Sequence, residues 1–167
     1  MIDVVMCAYN SESTIREAVD SVLNQTYEDF KLWVFDDNSQ DSTLDILRRY
    51  NDDRLVILAA SKNIGTYAAK NFAVYNVGDR KYVALHDADD ISHPERFEKQ
   101  INFMEKKNIV CLGTAVKEFW ENDWQPHTIS SEKTANNERI NKYAKKIKRK
   151  DLKSVLKHLT GDYEKYI

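Results

Sequence analysis

Apolar runs of strand length alternate with helix-period segments along the first 115 residues, and that alternation predicts the architecture. The runs lie at 2–7 (IDVVMC), 32–35, 55–59, 82–85 and 109–116. Between the first two, residues 13–24 carry Ile15, Ala18, Val19, Val22 and Leu23 at three- and four-residue spacing. A second helix starts near Asp41, whose carboxylate can cap it, and repeats Leu44, Leu47 and Tyr50. After a turn at Asn63 and Gly65, a third helix carries Tyr67, Ala68, Asn71, Phe72 and Tyr75 and ends at Gly78. Ser92-His93-Pro94-Glu95 has the spacing of a capping box with Pro just inside, which predicts a fourth helix running to about residue 107. Strands alternating with helices predict an α/β fold: a mainly parallel central sheet flanked by helices on both faces, with ligands bound beyond the carboxyl ends of the strands.

The pattern changes after residue 116. Residues 117–137 hold Trp120, Trp124 and Pro126 without a period and predict a long loop or a short hairpin. From 138 to 159 two helical stripes, Ile140, Tyr143, Ala144 and Ile147, then Leu152, Val155, Leu156 and Leu159, are displaced by one residue. Two helices, or one bent near Lys150, fit this. Charge divides the chain at the same place. The net −2 of the 167 residues conceals 14 Lys and Arg against 22 Asp and Glu in residues 1–129, and 11 against 5 in residues 130–167. We therefore expect a main domain over 1–129 and a basic helical C-terminal segment over 130–167.

An acidic body is a poor polyanion binder, so nucleic acid is not an expected partner. A composition of 42% hydrophobic and 31% charged residues excludes wholesale disorder. Cys7 and Cys111 have no paired spacing and no companion ligands, which argues against a disulfide framework or a zinc site. No stretch approaches the ~18 apolar residues of a membrane span, so the expected location is cytoplasmic. The basic tail leaves three readings open: packing on the sheet, peripheral contact with an anionic membrane, or docking to a further part of the protein.

Polar clusters stand at the predicted strand ends: Cys7-Ala8-Tyr9-Asn10, Asp36-Asp37-Asn38-Ser39, and His86-Asp87-Ala88-Asp89-Asp90. In the last, Asp87 and Asp89 could present oxygens to one hard divalent cation, leaving open positions for phosphate and water. An isolated D-x-D of this kind also caps helices and solvates turns. His86 and His93 flank it as a strand-end and a helix-start histidine, positions that are usually structural.

Taken together, VVMCAYN at 4–10, SVLNQTYEDF at 21–30, VFDDNSQDST at 34–43, NIGTYAAKNFA at 63–73 and YVALHDADDISHPERF at 82–97 resemble, in order and spacing, the family 2 glycosyltransferases of the GT-A fold. The resemblance implies a metal-dependent transfer of a sugar from a nucleoside diphosphate, a UDP-sugar by first expectation, to an acceptor hydroxyl. It places Ala8 and Tyr9 along the nucleotide and makes Asp37 the acceptor for the base imide. Asn63 and Gly65 then lie beside base and ribose, and Lys70 is either a diphosphate contact or a solvated helix lysine. Asp89 matches the direct ligand of Mn2+ or Mg2+, Asp87 touches the ribose or reaches the metal through water, Ala88 lies in the same donor-side motif, and Asp90 supports the ligands or forms the turn. Asp36, read from its own context, is a turn-forming carboxylate. The acceptor, whether glycan, lipid-linked or protein, is left open. No catalytic base is assigned: Glu118, Glu121, Asp123 and Asp162 are available acids without a distinguishing context, and 156–166 (LKHLTGDYEKY) only loosely resembles the approach to the usual base. One expectation is that the chain holds the donor half of a longer enzyme.

Other readings fit less well. A haloacid-dehalogenase phosphatase places its D-x-D after the first strand and wants Thr or Val where Ile91 stands. A nucleotidyltransferase wants a Gly-rich basic loop in place of Tyr9-Asn10-Ser11-Glu12, and a dinucleotide dehydrogenase wants a G-x-G-x-x-G. A sugar-nucleotide-binding module without turnover is the non-enzymatic alternative.

Overall fold

The computed structural model describes residues 2–76 and 80–113. Four strands, β1 (Ile2–Ala8), β2 (Phe30–Asp36), β3 (Leu55–Ala59) and β4 (Tyr82–Asp87), alternate with α1 (Ile15–Leu23), α2 (Thr43–Leu47), α3 (Thr66–Asn76) and α4 (Arg96–Lys107). All strand pairs among the described residues are parallel, in the order β3-β2-β1-β4. The alternation therefore produces the expected sheet. Its register brings the strand ends level with one another: Ala8 lies opposite Asp36, and Cys7 opposite both Phe35 and Asp87.

Period-two alternation sorts the strand side chains onto two faces. Val4, Met6, Ala8, Leu32 and Val34 point to one, where they meet Ile15, Ala18, Val19 and Val22 of α1, Leu47 of α2 and Phe97 of α4. Phe97 stands edge-on to Phe30 at 5.8 Å. Each such side chain contributes about 1.5–3 kcal/mol on burial, so this face holds most of the described core. On the other face Val5, Phe35 and Ala69 of α3 form a smaller cluster with Cys7, Trp33 and Phe72. Asp3 is buried beneath it, accepting from Trp33 Nε1 at 2.8 Å and paired with Arg80 at 2.9 Å.

Four expectations are revised. α2 is a short helix of five residues in which Leu44 is only half-buried. α3 turns Ala69 to the sheet, and Tyr67 is 86% exposed. The helix has its apolar positions spread around it, so its period does not select a face; contact with Val5 and Phe35 does. At α4 the capping box does not form: Ser92 Oγ accepts from Arg96, and Glu95 makes no side-chain cap. Finally, residues 109–113 pair with no described strand; α4 ends at Asn108 in the left-handed region and the run that follows is irregular. The rest of that run, the loop at 117–137 and the two tail stripes lie outside the described residues, as does Gly78.

Candidate functional site

The strand order reverses at β1. From β3 the chain crosses the far face through α3 and returns as β4 on the other side of β1, and crevices open at the carboxyl ends of strands at such reversals. All three polar clusters lie at that end.

The first two are zipped together by hydrogen bonds between loops. Ala8, the last residue of β1, is buried, and its carbonyl accepts the Asp37 N–H at 2.8 Å. The chain then turns out at Tyr9, which is exposed, and at Asn10, whose φ of 49° is a left-handed conformation that Asn tolerates. Asn10 donates its N–H to Ser39 Oγ at 3.0 Å and accepts the Gln40 N–H at 2.8 Å. Ser11 N–H donates to Thr43 Oγ1 at 2.8 Å. Glu12 N–H donates to Asp41 at 3.0 Å, and the Glu12 carboxylate accepts the Ser42 N–H at 2.9 Å. Asp41 also accepts the Thr43 N–H at 3.0 Å, the capping role its position suggested. Burial pushes its carboxyl up, but these hydrogen bonds outweigh that and hold it below its usual range.

Asp36 and Asp37 take different places in the structure. Asp36 is buried and accepts the Ser39 N–H at 3.2 Å, a turn role. Asp37, 2% exposed, receives the N–H groups of Ile64 and Gly65, each at 2.8 Å, one on each oxygen. Asp37 is thus a clamp on the loop that precedes α3. Asn63 Oδ1 also accepts the Gly65 N–H, at 3.2 Å. Gly65 stands at φ 86°, with open space where a Cβ would be, so backbone conformation rather than crowding requires glycine here.

At the third cluster Lys70 of α3 forms an ion pair with Asp87, whose carboxylate is half exposed at the end of β4. Burial works against the Lys70 charge, yet the Asp87 hydrogen bond and charge raise its pKa. Asp89 is exposed, while the side chain of Ala88 is buried in the α1-side core and leaves only main chain toward the mouth. Asp90 is pushed up by burial and then by Asp87 and Asp89, so three carboxylates concentrate negative charge on one turn. Cys7 reports that the clusters share one space: burial drives its thiol up to about 12, with Lys70 lowering it and Asp37 and Asp87 raising it.

Asp89, with Asp87 beside it, could hold a divalent ion. The donors are carboxylates on a solvent-facing turn, which suits Mg2+ or Mn2+. Among the described residues no group of three or more His, Cys, Asp or Glu side chains is placed to hold a metal ion.

The turn from β4 to α4 is held in part by residues to which the sequence assigns no role, Gln25 and Ser21 among them. Gln25, at the end of α1 and buried, donates Nε2 to the His93 carbonyl at 2.8 Å and accepts the Phe97 N–H at 3.1 Å. It caps α4 from another helix. Ser21 Oγ accepts the Ser92 N–H at 3.0 Å, and Arg96 reaches back to the Leu85 carbonyl at 2.9 Å. His86 is buried, with Nδ1 2.7 Å from the Asp87 carbonyl, and burial followed by the Arg96 charge lowers its pKa to about 4. The only hint of Gln25 in the sequence is its place in the SVLNQTYEDF run.

A family model described as glycosyl transferase family 2 matches residues 3–163. An uncharacterised glycosyltransferase of Methanocaldococcus jannaschii is 36% identical over 116 residues, covering 67% of this chain and 40% of that relative. The Escherichia coli UDP-Glc:alpha-D-GlcNAc-diphosphoundecaprenol beta-1,3-glucosyltransferase WfgD is 36% identical over 109 residues, 65% of this chain and 43% of its own length. The chain thus spans well under half the length of these relatives. Among solved structures, S. aureus TarS 1-349 in complex with UDP-GlcNAc is 28% identical with a TM-score of 0.60, covering 64% of this chain and 32% of that one. The mannosyltransferase PcManGT of Pyrobaculum calidifontis, in complex with GDP-Man and Mn2+, shares the fold at a TM-score of 0.59 and 22% identity, covering 65% of this chain and 33% of its own.

Proposed function

The chain belongs to glycosyl transferase family 2, and from that premise we propose that it transfers a sugar from a UDP-sugar to an acceptor hydroxyl, with Mn2+ or Mg2+ held at Asp89. The observation that carries this reading is the convergence of Asp37, Asn63 and Gly65 with Lys70, Asp87 and Asp89 at the carboxyl end of one parallel sheet. UDP is favoured as the nucleotide because TarS binds UDP-GlcNAc and WfgD is named for UDP-Glc.

Each side chain has a task in this reading. Tyr9 and Ala8 border the nucleotide; Asp37 and the loop it clamps receive base and ribose. Lys70 offers its ammonium to the diphosphate, exchanging Asp87 for phosphate oxygen as a point charge. Asp87 turns toward the ribose, and the main chain at Ala88 lines the donor. A divalent ion at Asp89 would stabilise the charge that grows on the leaving diphosphate as the sugar carbon becomes oxocarbenium-like.

Calorimetry of UDP binding by the full chain, with Mn2+ and with EDTA, tests this. Wild type is expected to bind more tightly with Mn2+, and Asp89→Asn to lose at least about tenfold in that affinity while keeping its fold by circular dichroism. Equal Mn2+-supported affinity in the variant removes the metal role from Asp89.

A further inference from the structure

We propose that His86 is a positioning residue for the D-x-D turn: its Nδ1–H holds the main-chain carbonyl of Asp87 and so sets the direction in which Asp87 and Asp89 leave β4. This role deepens the metal-assisted donor reading and rests on it.

His86 is 3% exposed, one residue before the end of β4 and opposite Met6 of β1. A carbonyl oxygen only accepts, so the 2.7 Å contact from Nδ1 places the ring proton on that nitrogen. The same carbonyl receives the Asp90 N–H at 3.2 Å. One oxygen therefore ties the buried imidazole to the turn that spans the three carboxylates. Arg96 holds the preceding outward carbonyl, that of Leu85, at 2.9 Å. The main chain on both sides of His86 is thus fixed by side chains just before the turn begins.

Packing alone does not account for this residue. Its Nε2 is buried and has no hydrogen-bond partner among the described residues, and an apolar side chain of similar size would carry no such desolvation cost there. What the imidazole adds over such a side chain is the Nδ1 donor aimed at Asp87. Metal ligands depend on neighbours of this kind to hold their geometry.

The test compares wild type with His86→Asn, His86→Gln and His86→Leu in the full chain. The Asn amide nitrogen falls where Nδ1 lies, the Gln amide reaches the place of Nε2, and Leu has no donor. The readout is the ratio of UDP affinity in Mn2+ to that in EDTA, which a general loss of stability does not move. The ratio is expected to survive in the Asn variant and to fall about 10- to 100-fold in the Gln and Leu variants. The same ratio in all four proteins overturns the proposal, as does an Asn variant that loses it as fully as Leu, or failure of all three variants to fold. A wild-type chain that gains nothing from Mn2+ overturns the metal reading itself, a result seen before any variant is compared.

Discussion

Asp37 has a scaffold role in the structure, and the proposed function gives the same carboxylate a recognition role. Its two oxygens order the Asn63–Gly65 loop, and the same group is the acceptor proposed for the base, so substituting it removes a contact and loosens a loop together. Cys7 offers a cleaner probe, because it lies among the charged groups and has no proposed part in the chemistry. A thiol reacts as its thiolate, and this one is driven up to about 12, chiefly by burial. Of the two cysteines, exposed Cys111 is expected to react rapidly with Ellman's reagent in the folded chain and half-buried Cys7 much more slowly. Two equivalents released at equal rates from folded protein would contradict the burial of Cys7. At this scale the polar clusters at the strand ends are legible: Asp36 and Asp37, and Asp87 and Asp89, stand out by residue type and position, while Asn63 and Gly65 draw attention as a turn and through the family resemblance. Gln25 and His86 do not, because what defines them is a main-chain partner that composition cannot reveal.

The elements divide in the same manner. α1 is legible because its apolar stripe has a strong period and one buried face. The orientation of α3 is not, because its apolar positions are spread around the helix, and only the opposing Phe35 and Val5 choose between faces. The start of α4 departs from expectation for a different reason. A capping box is a local rule, whereas the first N–H groups of this helix are served by the His93 carbonyl and by Gln25 from across the core. Gln25→Met keeps length and volume but leaves the Phe97 N–H and the His93 carbonyl without that partner. It is expected to destabilise the fold by about 1–3 kcal/mol, read as a lowered urea midpoint at unchanged slope. An unchanged midpoint would show that α4 does not depend on the bridge. Since α4 follows the D-x-D turn directly, this tether also connects the stability of the core to the geometry of the mouth.

For the whole molecule, parallel strands in the order β3-β2-β1-β4 bring residues from positions 8 to 89 to the carboxyl end of one sheet; the alternation of apolar runs and helical periods implied the parallel sheet, not the strand order. No helix among the described residues is long and apolar enough to cross a membrane. On β4 the face shared by Val83 and Leu85 is exposed, in contrast to β1 and β2, so the described sheet is covered more completely at its centre than at this edge. The proposed chemistry requires one spatial arrangement: a donor diphosphate bridges Lys70 and the turn at Asp87–Asp90 while its base reaches the loop clamped by Asp37. A crystal of the chain grown with UDP and Mn2+ tests this directly. The expected electron density shows the ion on an Asp89 oxygen and on the diphosphate, with uracil beside Asp37; nucleotide bound elsewhere, or an ion that touches neither Asp89 nor phosphate, would contradict it.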